Sequence, residues 1–215
     1  MKTLGIIGGI GPESTVDYYR LIIAAYREQR QDGSYPAIII NSIDLNKIRD
    51  LVTANALADL TDWRGRAPTL ACSPPMTFAG SRPIPLLSIV EATCEAAKAL
   101  ALRRLGLLGT RFTMQGRFFP DVFAREGITL VVPAPDEQDY VHDKYMGELV
   151  NGIFLPATRE GLLEIIGRLR KREHIDGVIL GGTELPLILR DVPGQDIPFL
   201  DTTQIHVRAA VAQML

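Results

Sequence analysis

The sequence predicts an α/β fold made of two similar α/β subdomains with parallel four-stranded sheets, related by a pseudo-twofold axis. Short apolar runs alternate along the chain with longer segments in which apolar residues recur at a helical period. Strands that alternate with helices are typical of a parallel sheet covered by helices. Similar segments also recur in the same order in the second half, which indicates a duplicated α/β unit.

The pattern of apolar residues sets the predicted elements in chain order. Strands are predicted from short apolar runs bounded by glycine, proline or small polar residues; they cover 4–7, 37–40, 84–89, 105–108, 128–132, 177–180 and 197–200. A further strand end is predicted at 69–74. Helices are predicted where apolar side chains form one stripe; they cover 16–26, 48–52, 90–101, 119–123, 136–150, 158–172 and 202–215.

Three landmarks carry the internal repeat. LGIIGG at 4–9 resembles LGLLGT at 105–110, LACSP at 70–74 takes the place of LGGTE at 180–184, and IPLLS at 84–88 matches IPFLD at 197–201. We therefore predict one subdomain from 1–92 plus 201–215 and another from 93–200. Two such halves would face each other, with Cys72 and Gly182 on opposite sides of one cleft.

Composition and charge restrict the functional class. The 215 residues are 47% hydrophobic and 22% charged, with a net charge of −2, so neither nucleic acid nor an anionic membrane is expected as a partner. The first apolar run is interrupted by glycines and is too short for a secretory or membrane-spanning segment. Cys72 and Cys94 make no disulfide framework, so we expect a reduced cytoplasmic protein.

The ends of the strands hold the candidate functional residues. Ligands of parallel α/β sheets bind beyond the carboxyl ends of the strands, where the sequence places Gly9, Asn41, Cys72, Thr110 and Gly182. A strand that ends in small residues at a helix start directs backbone N–H groups at a bound anion. The same position lowers the pKa of a thiol, so Cys72 is the clearest acid–base group. Inversion of a carbon needs such a group on each face.

Four motifs in order resemble the aspartate/glutamate racemase family of cofactor-independent amino-acid racemases. They are LGIIGGIGPEST at 4–15, LGTRFTM at 108–114, GTELP at 182–186 and PFLDT at 198–202. The resemblance implies two α/β subdomains, a homodimer, and one cysteine from each subdomain as the two proton-transfer groups. It implies no pyridoxal phosphate, metal or nucleotide.

The chain departs from the family pattern at both cysteine motifs. The first motif, Cys-Asn-Thr in the family, reads CSP at 72–74, and the second, Cys-Thr-Glu, reads GTE at 182–184. The first cysteine is kept as Cys72. Gly182 has no side chain to carry a proton, and the hydroxyl of Thr183 is a weak base without an activating partner.

We expect an amino-acid racemase of the aspartate/glutamate type, impaired by Gly182, with Cys72 and Thr183 as its catalytic residues. A small amino acid or dicarboxylate would be held by Gly9, Ile10, Asn41, Ser73, Pro74, Thr110, Met114, Gly182 and Glu184. Two alternatives stay open: a single-cysteine decarboxylase or isomerase of the same superfamily, and an inactive carboxylate-binding homologue. Glu184 could also serve only as the acid at a helix N-terminus.

Overall fold

The computed structural model describes residues 2–9, 11–42, 44, 70–71, 87–194 and 196–215. The chain forms two compact units, one from Met1–Ile89 with His206–Leu215 and one from Val90–Ile205. Both are α/β units with parallel strands, which confirms the predicted fold class. The part of the chain that the structure describes has no helix long and apolar enough to cross a membrane.

The first unit contains a parallel sheet in the order β2-β1-β3. Its described strands are β1 (Leu4–Gly8), β2 (Ile38–Ser42) and β3 (Leu70–Ala71). Helix α1 (Pro12–Gln29) starts with proline at a position where the missing N–H has no intrahelical partner. The core of this unit joins β1 and α1 to the end of the chain; its buried members are Ile6, Tyr18, Ile22, Tyr26, Val207, Ala210 and Val211.

The second unit contains a four-stranded parallel sheet in the order β5-β4-β6-β7. The strands are β4 (Arg104–Leu108), β5 (Thr129–Val131), β6 (Gly177–Leu180) and β7 (Phe199–Asp201). All four residues of β6 are buried, as is typical of a central strand of a parallel sheet.

The helices of the second unit follow its strands along the chain. They are α2 (Ile89–Ala99), α3 (Arg111–Gln115), α4 (Phe118–Arg125), α5 (Pro135–Gly147), α6 (Pro156–Glu173) and α7 (Leu185–Leu189). Helix α8 (Thr202–Met214) starts in the second unit and continues into the first. The apolar core of the second unit includes Leu108, Met114, Val141, Tyr145, Leu162, Ile165, Leu180 and Leu185.

Several predicted elements differ from the observed ones. Leu87 and Ser88 form no strand and Ile89 already begins α2, while 84–86 and the predicted helix 48–52 lie outside the described residues. Helix α2 ends at Ala99, and Ala101, predicted on its apolar stripe, has a left-handed φ of 55°. The predicted helix 136–150 divides into α5 and a 3₁₀ turn at Leu149–Asn151.

Strand β2 is less buried than its apolar sequence predicts. Ile39 and Ile40 are 49% and 39% exposed. An uninterrupted apolar run is typical of a strand with both faces covered, whereas β2 is an outer strand of the described sheet. The apolar run therefore identifies the strand correctly but not its place in the sheet.

Candidate functional site

The candidate site of the second unit lies where β4 and β6 end. These strands are adjacent and parallel, with Leu108 opposite Leu180. The N–H of Gly181 donates to the carbonyl of Leu108 at 2.7 Å, which continues the pairing one residue beyond β6. The turn at 181–184 therefore begins beside the end of β4, at the edge where parallel α/β sheets bind their ligands.

Thr110 fixes the start of α3 after β4. Its hydroxyl accepts a hydrogen bond from the N–H of Thr113 at 3.3 Å, and the two threonine hydroxyls lie 3.2 Å apart. The N–H of Arg111 donates to Nδ1 of His142 at 3.2 Å, and its guanidinium pairs with Asp139 at 2.7 Å. Polar contacts therefore hold α5 against the first turn of α3.

Gly182 lies against the ring of Tyr145, a residue of α5. A Cβ on residue 182 would lie 2.5 Å from Cε2 and 2.6 Å from the hydroxyl oxygen of Tyr145. Carbon atoms in favourable contact are about 3.5–4.0 Å apart, so a side chain at 182 would collide with the ring. Tyr145 thus fills the space into which that side chain would project, and a side chain at 182 would fit only if the tyrosine ring moved.

Glu184 is a buried acid held by two hydroxyl groups. It is 3% exposed. Its Oε2 accepts hydrogen bonds from the hydroxyl of Tyr145 and, at 3.0 Å, from the hydroxyl of Thr183. In the described part of the chain, none of the ion pairs involves Glu184. The carboxylate of Glu184 in the turn after β6 therefore lies beside two hydroxyl groups, each able to donate and accept hydrogen bonds.

The hydroxyl of Tyr145 stays protonated in this environment. The residue is only 6% exposed. Burial raises its pKa well above the ordinary value, and the negative charge of the neighbouring Glu184 raises it further. The phenol is therefore a neutral hydrogen-bond donor to Glu184.

Two further residues near these strand ends are buried. Met114, predicted to contact the substrate, is part of the apolar core of the second unit. Thr202, the first residue of α8, donates its hydroxyl to the carbonyl of Leu180 at 2.7 Å. This bond ties the start of α8 to the last residue of β6.

The first unit holds two of the predicted site residues, Gly9 and Asn41. Gly9 has a φ of 97°, which favours glycine, and its N–H donates to the hydroxyl of Thr15 at 3.0 Å. Asn41 lies in β2 opposite Ile7 of β1. Their contact with a substrate stays a prediction. Ile10, Cys72, Ser73 and Pro74 lie outside the described residues.

The other cysteine, Cys94, belongs to the core. It is a buried residue of α2, and burial raises the pKa of its thiol, with Glu126 and Glu95 adding to the effect. A buried thiol of raised pKa is a poor nucleophile. In the described ranges, no group of three or more His, Cys, Asp or Glu side chains is placed to hold a metal ion.

Tyr145 is the residue that sequence reasoning missed. The predicted helix 136–150 is mainly helical in the structure, and a tyrosine on its apolar side is an ordinary core residue by that pattern. The available signal was Gly182, because the racemase pattern that the sequence resembles has a cysteine there and a glycine leaves space for a neighbouring side chain.

Comparison with known proteins finds a matching family model and a related sequence. The family model of Asp/Glu/Hydantoin racemase matches residues 77–210. The uncharacterized protein in the pnlA 3′ region of Pectobacterium carotovorum is 28% identical over 127 residues, which cover 59% of this chain and 83% of that protein.

Solved structures resemble the chain over its full length. A "putative Asp/Glu racemase" from Yersinia pestis is 28% identical with a TM-score of 0.84, covering 100% of this chain and 99% of that one. An aspartate racemase homologue from Pyrococcus horikoshii is also 28% identical, with a TM-score of 0.76 and the same coverage. Picrophilus torridus aspartate racemase, 20% identical with a TM-score of 0.75 over 100% of this chain and 94% of its own, shares the fold.

These findings first define a class: α/β proteins with parallel sheets that share the fold of solved Asp/Glu racemase structures. The match of the family model spans more than half of the sequence. The chain belongs to the Asp/Glu/Hydantoin racemase family.

Proposed function

We propose that this protein is a cofactor-independent racemase of a small amino acid of the aspartate/glutamate type. Family membership supports an isomerase that removes and returns the proton at Cα. A homodimeric, cytoplasmic enzyme that uses neither pyridoxal phosphate nor a metal is part of the proposal, on the strength of the composition and the sequence resemblance.

The observation that carries the proposal is the turn after β6. Glu184 presents a carboxylate, which suits the ammonium group of an amino acid, and the hydroxyl of Thr183 orients it. Thr110 lies at the end of the adjacent strand β4. Hydroxyl and backbone N–H groups of such turns stabilise the negative charge that builds up when a proton leaves Cα.

Cys72 is proposed as the group that removes the proton. This assignment is based on its place in the first cysteine motif. A thiol suits the task because its pKa can be brought close to the working pH. Gly9, Ile10, Asn41, Ser73, Pro74, Met114 and Gly182 complete the proposed substrate-binding set.

Proton exchange in heavy water tests the proposal. Purified protein is incubated with each enantiomer of aspartate, glutamate and other small amino acids, and deuterium content and optical rotation are followed. We expect deuterium at Cα together with loss of rotation. Replacing Cys72→Ser should lower the racemisation rate by about 100-fold or more, as for a lost acid–base group.

The matched control is Cys94→Ala, which removes the buried thiol of α2. Exchange in this variant should remain at the wild-type rate at temperatures where it is folded. Racemisation at the wild-type rate in Cys72→Ser would remove Cys72 from the reaction, and a wild-type protein that exchanges none of the amino acids would contradict the proposed function.

The space occupied by Tyr145 favours a second candidate, a single-cysteine decarboxylase. Because no side chain fits at 182, a reaction that needs one thiol is compatible with this chain. Such an enzyme would release carbon dioxide from a substituted malonate and protonate the product on one face. Release of carbon dioxide without exchange of amino acids would select this candidate.

A further inference from the structure

We propose that Tyr145 and Glu184 together form a second proton-transfer group, which acts in the space that a side chain at position 182 would fill. The inference rests on the proposed function and assigns a role in that reaction to a residue that no sequence motif marks. Three observations support it: the place of the Tyr145 hydroxyl, its bond to Glu184, and the kind of groups around that carboxylate.

The hydroxyl of Tyr145 stands where a proton carrier at 182 would stand. Its oxygen is 2.6 Å from the position of a Cβ on residue 182, so it lies within the space that a side chain there would occupy. Gly182 and Thr183 are partly exposed, whereas the ring of Tyr145 is buried against them. Outside the two chain neighbours of Gly182, the phenol oxygen is thus the polar atom nearest to the missing side chain among those the structure describes.

The carboxylate of Glu184 supplies the base that the neutral phenol of Tyr145 needs in order to take up a proton. Proton transfer runs as a relay: the Cα–H bond of the substrate breaks, its proton bonds to the oxygen of Tyr145, and the original hydroxyl proton of Tyr145 moves to Oε2 of Glu184. The electron pair of the broken bond stays on Cα. In the reverse direction, the protonated Glu184 returns a proton to Tyr145, which protonates Cα.

Tyr145 remains a neutral phenol at the start and end of each step. This is consistent with the burial that raises its pKa, since phenolate never has to accumulate. The relay adds one proton to Glu184 and one negative charge to the substrate, so atoms and charge balance without a further reactant.

The partners of Glu184 suit a relay. Thr183 and Tyr145 donate to the same oxygen, Oε2, and both are hydroxyls that can pass on a proton. The other buried acid among the described residues of this unit, Glu137, pairs with Arg168 at 2.7 Å. An arginine cannot give up its proton in a protein. Within the described residues, Glu184 has no such partner in any ion pair.

The test separates racemisation from exchange. In heavy water, Tyr145→Phe and Glu184→Gln should each lower the racemisation rate by about 100-fold or more, and KM should change by no more than about threefold in Tyr145→Phe. Deuterium should still enter Cα with retained configuration, because the opposite proton-transfer group is intact. The control is Tyr140→Phe, which removes a hydroxyl from the same helix, outside the proposed relay, and should racemise at the wild-type rate.

The outcomes distinguish this inference from the proposed function. If Tyr145→Phe and Glu184→Gln racemise at the wild-type rate, the relay is overturned and the proposed function stands. If the wild-type protein exchanges protons without loss of configuration, it is not a racemase, and the proposed function and the relay both fail. If it exchanges none, both fail. Circular dichroism and thermal unfolding check each variant, and Glu184→Gln decides the question if Tyr145→Phe does not fold.

Discussion

At the scale of single residues, the ring of Tyr145 occupies the space that a side chain at Gly182 would fill. The sequence has glycine at position 182, where the racemase pattern it resembles has a second cysteine, but nothing in the local sequence shows what takes that space. The structure brings Tyr145 to this point from α5, a helix far away along the chain. The absence could therefore be predicted from the sequence and its replacement could not, because the replacement is a tertiary contact.

The first residue-scale prediction concerns Gly182→Ala. The added methyl group would lie 2.5 Å from the ring of Tyr145, so the variant should lose about 1–3 kcal/mol of unfolding free energy, as other overpacked cores do. Denaturant unfolding measures this loss. Wild-type stability in Gly182→Ala would show that Tyr145 does not occupy this space.

The control is Gly167→Ala, in the middle of α6. A Cβ there meets nothing within 4 Å, and alanine restricts the unfolded chain more than glycine does. The free energy of unfolding of this variant should rise by about 0.5–1 kcal/mol. Opposite signs for the two glycines separate the collision at 182 from the general effect of glycine replacement.

At the scale of elements, the position of Tyr145 depends on how α5 is anchored. The carboxylate of Glu137 accepts a hydrogen bond from the N–H of Ala134 at 2.9 Å, at the start of α5, and another from Arg168 of α6 at 2.7 Å. One buried acid therefore both caps α5 and joins it to α6. The apolar pattern predicted both helices, but a cap of this kind depends on the tertiary pairing as well as on the sequence.

The element-scale prediction is that Glu137→Gln destabilises the protein by about 1–3 kcal/mol, because a buried hydrogen bond to a charged group is lost. The control is Glu164→Gln. Glu164 lies 3.7 Å from the same arginine, but its side chain is 73% exposed, and such surface pairs contribute less than about 1 kcal/mol. Equal losses in both variants would contradict the anchoring role of Glu137.

At the scale of the whole molecule, most of the architecture was predictable and the site only in part. The order of strands and helices follows from apolar periodicity and from the breaks made by glycine and proline, and these depend on local chemistry. The outer place of β2 and the packing of α5 against the turn after β6 depend on contacts between distant segments. Sequence periodicity carries no record of such contacts.

The whole-molecule prediction concerns pH and rests on His206 of the first unit. This residue is fully buried; Tyr18 donates to its Nδ1 at 3.0 Å, and its Nε2 donates to the carbonyl of Leu87 at 3.0 Å. Burial lowers its pKa from 6.5 to about 4. Between these values the unfolded chain binds a proton that the folded protein does not, so stability is lost as pH falls.

Acidification from pH 7 to pH 4 should therefore lower the free energy of unfolding by about 3 kcal/mol through this one residue. Urea unfolding at several pH values measures the slope, which His206→Gln should flatten over this range. His174→Asn, a change at an exposed histidine with a left-handed φ of 52°, should keep the wild-type slope. An unchanged slope in His206→Gln would refute the assignment.

The first unit is built from an early and a late segment of the chain, and this has a consequence for its folding during synthesis on the ribosome. Its core needs Ile6 and Ile22 from the early part of the chain and Val207 and Val211 from the late part. The early segments are translated first, yet the apolar face of α1 cannot be covered by its partners until α8 has left the exit tunnel. The 90–205 segment, which emerges in between, has an apolar core of its own. We therefore expect it to fold before the first unit is complete.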